Sequence, residues 1–383
     1  MAQRYFVNRS SKIILNLLGA CLVLAAQLLS PQHARAANGF PNTLKFGYGA
    51  RLDPLGNEVS LALNTATSIG IDWVGVDFDW ARLWANSNKQ PKLDTLDEAI
   101  GRAHKNRVNV LLSITNPPSW ALNDKGPDPE LTAGLVSQLA DRYRDSVLAI
   151  ELLPEANTRR GWGARPNPQA YAALLAACWE GLRSHGSPTI LIAGGLRPIS
   201  NARSGNDMED LVFLSALYAA GAKDLMPVVS LHLTDLSGEA MASPDSQNPY
   251  ALRRYELIRQ VMLKQNHTGG LIWITGFSWP DSDSIPPEEQ SRWINQAFQL
   301  MRSQLYIGAA FVAWFNPPDQ TGEGDHHYLI QNKGQETRLH PALYALAQLI
   351  TLDRSGQLIQ PLTELEKTSS STLQKTGTPA GLP

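Results

Sequence analysis

Val147-Leu148-Ala149-Ile150-Glu151-Leu152-Leu153 is an apolar run interrupted once, by Glu151, and a helical stripe of Tyr171, Leu174, Leu175, Cys178 and Leu182 follows it. Between the two stands Asn167-Pro168, a helix start in which the asparagine side chain caps a free backbone N–H and the proline has none to leave unpaired. A short apolar run followed by a capped, one-sided helix is a βα unit. Comparable runs lie at 44–48, 73–77 and 108–114 before this one, and at 189–193, 227–231, 271–277 and 308–314 after it. Their starts are 29 to 44 residues apart, room in each interval for a strand, a helix and two loops.

Helical marks in the intervals separate this pattern from a β-sandwich. Leu131, Leu135, Leu139 and Tyr143 recur every four residues, and Asp94 with Asp97 marks another helix start. Cys178 sits on an apolar face, so it reads as a packed thiol rather than a nucleophile. A doubly wound open sheet would carry a glycine-rich phosphate turn, yet Gly47-Tyr48-Gly49 lacks the third glycine and no P-loop or Gly-x-Ser-x-Gly elbow occurs. The expectation is an α/β chain forming a single-domain (β/α)8 TIM barrel over 37–352.

The flanks read differently. Arg4, Arg9 and Lys12 precede an apolar stretch, and Ala34-Arg35-Ala36 supplies small residues at a peptidase spacing, the pattern of a secretory signal over 1–36. The rival readings are an uncleaved N-terminal anchor and a lipidated Cys21, so a membrane is expected only through this N-terminal segment if it is retained. Residues 353–383, with Ser369-Ser370-Ser371 and a proline-containing end, read as a flexible tail. Removal of 1–36 takes four of the 33 basic side chains and none of the 35 acidic ones, leaving a mildly acidic exported protein whose single cysteine excludes an internal disulfide. The near balance of charge offers no footprint for nucleic acid, and nothing in the sequence gives an oligomeric state.

Function in such a barrel is built from loops after the C-terminal ends of the strands. Those loops carry Asp79, Trp80, Arg82, Trp84, Asn116, Trp120, Glu155, Asn157, Trp162, His232, Trp279, Trp314 and Asn316. Indole rings stack on the apolar faces of sugars while amides, carboxylates and imidazoles bond the hydroxyls. This predicts a carbohydrate-binding cleft touched by Trp80, Trp120, Asn157, His232, Trp279 and Trp314. The plainer alternative is that individual tryptophans only plug long loops onto the rim.

Four further segments stand at the ends of the predicted strands: Ile150-Glu151-Leu152-Leu153-Pro154-Glu155-Ala156-Asn157, Val228-Val229-Ser230-Leu231-His232, Leu271-Ile272-Trp273-Ile274-Thr275-Gly276-Phe277-Ser278-Trp279 and, ahead of them in the chain, Asn116-Pro117-Pro118-Ser119-Trp120-Ala121. Together they resemble the strand 4, 6, 7 and 3 signatures of the clan A retaining glycoside hydrolases, with family 39 and related β-xylosidase and β-glycosidase barrels the nearest likeness. The resemblance implies that Glu155 stands at the acid/base position. It also implies that the nucleophile position, after the strand 7 threonine, holds Gly276, which has no side chain to attack a sugar. The residue before the acid/base is Pro154 in place of asparagine, the strand 2 arginine position appears as Gly75, and the strand 6 "His-Pro-Tyr" reads His232-Leu233-Thr234.

Retaining hydrolysis needs two carboxyls about 5–5.5 Å apart. Glu151 shares the inward parity of Glu155 but lies about 13 Å deeper if the strand continues between them. Asp281 and Asp283 are nearer to the vacated place and offer a relocated base. Three readings follow: an exported sugar-binding barrel that has lost ordinary retaining catalysis, an active β-glycosidase with a relocated carboxylate, and a cell-envelope scaffold that binds protein. The ligand expected under the first two is an oligosaccharide or polysaccharide. Glu323, Asp325 and His327 alternate, but one histidine and no thiolate make a poor metal set, so neither a metal nor a cofactor is expected.

Overall fold

The computed structural model describes residues 45–54, 59–199, 206–244, 248–279, 285–313, 315–316, 328–333 and 336–357. The expected signal at 1–36, the tail beyond residue 357, and Asp281, Asp283, Trp314, Glu323, Asp325 and His327 lie outside the described residues.

Eight parallel strands close into a barrel: β1 Gly47–Leu52, β2 Trp73–Asp79, β3 Asn109–Thr115, β4 Val147–Leu152, β5 Ile190–Leu196, β6 Val228–Leu233, β7 Leu271–Phe277 and β8 Ile307–Val312. Closure is made by β1, which pairs with β8 through Gly47 and Ala309 and with β2 through Gly49 and Trp73. Each strand is followed by a principal helix: α1 Val59–Ser68, α2 Asp94–Lys105, α3 Pro129–Arg142, α4 Pro168–Ser184, α5 Asp210–Ala219, α6 Arg254–Lys264, α7 Pro287–Arg302 and α8 Pro341–Arg354. The (β/α)8 architecture is therefore as expected.

Local chemistry explains the helix starts. Asn167 accepts from the Ala170 N–H at the head of α4, and Asp128 accepts from Glu130 and Leu131 N–H at the head of α3, each with proline in the first turn. Asp94 does not cap α2; Leu93 holds that place and Asp94 is the first helical residue. Asp97 instead reaches across to α3, where its carboxylate accepts from Arg142 Nε at 2.8 Å and from Tyr143 OH at 2.7 Å. Those bonds hold the Asp97 carboxyl below its usual range. A depressed carboxyl contributes stability above its unfolded pKa and loses it as pH falls through the folded value. Because the pair is half in solvent, Asp97→Asn is expected to cost about 1 kcal/mol at pH 7, with the deficit shrinking below pH 4 in urea titrations.

Two buried sets divide the core. Outward-facing strand residues such as Val74, Val76, Leu112, Ile150 and Leu191 pack against the helices, while Trp73, Leu111, Ala149, Ile192, Trp273 and Phe311 fill the barrel interior. The indoles of Trp73 and Trp273 meet edge to face at 5.1 Å and plug the lower half of the barrel. Cys178 is fully buried in the outer set, and burial pushes its thiol pKa up. Helix α8 runs two residues past the expected end at 352. Asp353 accepts from Tyr48 OH at 2.9 Å and pairs with Arg302, and Arg354 bonds Asp72 at 2.8 Å, tying the helix to the lower end of the sheet.

The first strand lies a few residues later than the run at 44–48. Gly47 and Gly49 are weak strand formers by themselves, but a Cβ at Gly49 would overlap the Phe311 ring, so closure of the barrel selects glycine there. The shift carries Arg51 into the barrel.

Candidate active site at the barrel mouth

Strand β4 ends at Leu152, and the chain then turns sharply. Leu153 and Glu155 both take left-handed backbone, φ 49° and 62°, with Pro154 between them. Non-glycine residues in this region are strained by about 1–3 kcal/mol and persist only where neighbours hold them. Here the Glu155 N–H donates to Gly195 O at 2.8 Å, and Pro154 lies so close to Gly195 that a Cβ there would come within 2.5 Å of the proline ring. The extended rise assumed between Glu151 and Glu155 therefore does not apply. The turn aims the Glu155 carboxylate across the mouth.

There it meets an imidazole and a guanidinium. His232 Nδ1 lies 3.3 Å from Glu155 Oε1, and Arg197 Nη1 lies 3.6 Å from Oε2. Burial on its own would raise the Glu155 carboxyl, which is 17% exposed, but the His232 hydrogen bond and the charges of His232, Arg197 and Arg160 outweigh it. The net effect holds Glu155 below the ordinary glutamate range, so it is an anion at neutral pH. An ionised carboxylate only accepts, so His232 Nδ1 carries the proton of that bond. His232 Nε2 is buried without a hydrogen-bond partner among the described residues.

Nε2 points at Gly276. A Cβ built on Gly276 would lie 2.7 Å from His232 Nε2, 2.8 Å from Cδ2 and 3.3 Å from Arg51 Cδ. Gly276 faces the mouth because β7 carries a bulge. Ile274 pairs with Leu231 and Gly276 with His232, and Thr275 is skipped, a shift repeated on the β8 side. Thr275 and Gly276 thus both face inward, which strict alternation would forbid: Thr275 Oγ1 donates to Glu151 at 2.6 Å. The space in front of Gly276 is occupied by an imidazole edge and an arginine stem.

Arg51 supplies the second substitution. A Cβ on Gly75 would lie 3.3 Å from Arg51 Nη1 and 3.4 Å from Arg51 Cγ, so an arginine from β1 covers the position where the resemblance expects one from β2. Its guanidinium donates to Thr275 O at 2.9 Å and Ser113 Oγ at 3.3 Å, lies 3.8 Å from Glu151 Oε2, and pairs with Asp77. Glu151 is fully buried, and both its oxygens accept, from Ser113 and Thr275 at 2.6 Å each. It is a structural carboxylate under the mouth.

Several solved structures are similar to this chain. A family 39 glycoside hydrolase from the gut symbiont Bacteroides cellulosilyticus WH2 matches with TM-score 0.60 and 16% identity over 82% of this chain, which spans 64% of that protein. The β-glycosidase BGL167 matches with TM-score 0.59 and 13% identity, over 90% of this chain and all of that one. XacCel5A, solved in complex with cellopentaose, matches with TM-score 0.53 and 12% identity, over 79% and 98%. The chain shares their fold. No protein-family model matches the sequence, and no curated protein is similar to it in sequence.

Within this barrel, several residues expected to touch ligand are engaged elsewhere. Trp80 is fully buried against Trp120, and Trp279 is 3% exposed, with its Nε1 donating to Gly238 O at 2.7 Å. Trp162 is also buried, donating to Lys125 O. These three are loop plugs, because each indole covers the apolar underside of a long connection and presents no open ring face. Trp120 is half-buried, with an edge against Trp84. Asn157 is fully buried and makes three hydrogen bonds, to Arg197 N, Arg197 O and Met208 O, which makes it the clamp that positions Arg197. Asn316 clamps Asp53 in the same way. Among the described residues no cluster of three His, Cys, Asp or Glu side chains is arranged to hold a metal ion.

Glu155 and His232 are thus brought together, and Trp80, Asn157 and Trp279 stand behind the surface. Sequence reasoning missed Arg51 and Asp77, which pair at the mouth, and Arg197 with Asp235, which its guanidinium also meets. For Arg51 and Asp77 a signal existed, a charged residue at inward parity on a barrel strand. For Arg197 and Asp235 none did, since both lie on loops.

Proposed function

We propose that this protein is an exported, glycosidase-like barrel that binds a saccharide at its mouth without ordinary retaining hydrolysis. The observation that carries the reading is the His232 ring, which fills the place before Gly276 and holds Glu155 as an anion. A general acid must carry its proton at working pH, the opposite of what His232 and Arg197 impose on Glu155. The saccharide is supported by the resemblance of the strand signatures and by the fold shared with a family 39 glycoside hydrolase, a β-glycosidase and a protein that holds cellopentaose. Export rests on the leader-like pattern of 1–36.

Aryl β-glycosides test the catalytic half of this reading. No turnover is expected, and azide or formate, small anions that take the place of a missing carboxylate where room exists, are expected to bring none because the imidazole occupies that room. Turnover by the unmodified protein that disappears in Glu155→Gln would overturn the reading in favour of a working hydrolase. A glycan array tests the binding half, where a blank result together with unchanged tryptophan fluorescence favours a protein-binding scaffold.

A further inference from the structure

We infer that the turn between α6 and β7, residues 265–270, is closed by a proton-sensitive latch, the His267 imidazole, which loosens when the ring takes up a second proton. The latch lies at the end of the barrel opposite the mouth, where β7 begins, and does not depend on what the mouth binds.

The ring is clasped between two elements. Tyr218 OH, on α5, lies 2.8 Å from His267 Nδ1, and the two rings meet edge to face with centroids 5.8 Å apart. On its other side the imidazole rests on bare backbone: a Cβ at Gly270 would come within 2.5 Å of His267 Cε1 and Nε2 and within 2.8 Å of Met262 Cε. The turn is made at Asn266, φ 55°, a left-handed place that asparagine accepts more readily than most residues. It is tied back to α6, where the His267 N–H donates to Met262 O at 2.9 Å, and Arg259 donates to Thr268 O at 2.8 Å and to Gly270 O at 2.9 Å.

Burial pushes the Tyr218 phenol up to about 12, so it keeps its proton through the neutral range. A neutral imidazole can accept that proton at Nδ1, whereas an imidazolium donates at both nitrogens and accepts at neither. The surrounding charges oppose the imidazolium as well. Lys223, on the 3-10 turn Ala222–Leu225, and Arg259, on α6, stand beside the ring, with Asp224 acting against them. Tyr306, under the Arg259 guanidinium at 5.1 Å, is also pushed up to about 12 by burial and brings no charge. Burial and the two cations hold the imidazole below the ordinary histidine range, so the ring binds a proton more readily when the turn is open. The latch is therefore at full strength above the unfolded histidine pKa of about 6.5. It weakens as pH falls from there through the folded value, by up to about tenfold in the opening constant for each pH unit.

Amide hydrogen exchange of the full chain at about pH 7 and pH 5, corrected for the intrinsic exchange rate at each, tests the latch. The N–H groups of His267 and Leu271, bonded to Met262 O and Pro227 O, are the reporters, and the Ala170 N–H at the head of α4 is the reference. Opening at the reporters is expected to rise at least about threefold at the lower pH while the reference stays unchanged. His267→Gln, which keeps an acceptor for Tyr218 but does not titrate in this range, is expected to lose the response, and Lys223→Met to shrink it. Proton NMR titration of the His267 ring is expected to give a pKa below about 6.5 that moves up in Lys223→Met. Equal opening of the unmodified protein at both pH values would overturn the latch, as would a response that persists in His267→Gln. A rise shared by the reference would also overturn it, since the acid would then be loosening the whole barrel.

Discussion

Arg51→Ala is expected to lower folding stability by about 3 kcal/mol, the lower end of the range for stripping one partner from a buried charge pair. Among the described residues Arg51 is the cation that faces Glu151, at 3.8 Å, and Glu151 is fully enclosed. Removing the guanidinium also deprives Thr275 O of a donor and leaves a space over Gly75 that the β2 glycine cannot fill. The Ser113 and Thr275 hydroxyls still bond the carboxylate, which keeps the loss from the upper end of that range. Adding Glu151→Gln removes the stranded charge, so the double variant should recover more than about 1 kcal/mol relative to additivity. Guanidinium unfolding of the four proteins measures this coupling. A single-variant loss under about 1 kcal/mol would show that the network contributes little and that the barrel interior tolerates Arg51 merely as filling.

Gly276→Ala, with its Cβ within 2.8 Å of the His232 ring, is expected to cost about 2 kcal/mol, as overpacking does in a filled interior. In a His232→Ala background the same substitution should cost less than about 1 kcal/mol, since the obstructing ring is gone. Gly276→Glu alone is therefore expected to confer no hydrolysis: there is no place for the carboxylate until His232 is reduced. The pH dependence follows with a definite sign. Glu155 is depressed in the folded protein, so it contributes stability above its unfolded pKa of about 4.3 and loses it as pH falls through the lower folded value. Pushing the ring aside lets the Glu155 carboxyl rise, and the extra acid sensitivity below about pH 4.3 should shrink in Gly276→Ala. Carbon-13 NMR titration of the Glu155 carboxyl reads this directly. An unmoved carboxyl in the variant would mean that His232 accommodates the methyl without leaving Glu155.

The fold was legible because its signals are local. Apolar runs, caps such as Asn167-Pro168 and the stripe through Cys178 act within one element, and every barrel strand but the first starts within one residue of the run that announces it. The first was misjudged by its glycines, which are unfavourable in an isolated strand and required beside Phe311 in a closed one. Arg51 was lost with that shift. The tryptophans show a different limit: a residue type that suits sugar stacking suits loop plugging equally well, and burial alone tells Trp80 and Trp279 from a platform.

The amino-acid sequence by itself determined the eightfold alternation, the closed α/β barrel, the buried thiol and the placing of Glu155 on the functional end. Only the tertiary structure decided that Thr275 and Gly276 face inward together, that His232 fills the space before the glycine, and that an arginine from β1 covers Gly75. Hydrophobic period and capping are encoded among neighbours in the chain. Which polar side chains meet inside a barrel depends on strand register, a bulge and closure, properties that arise between segments hundreds of residues apart.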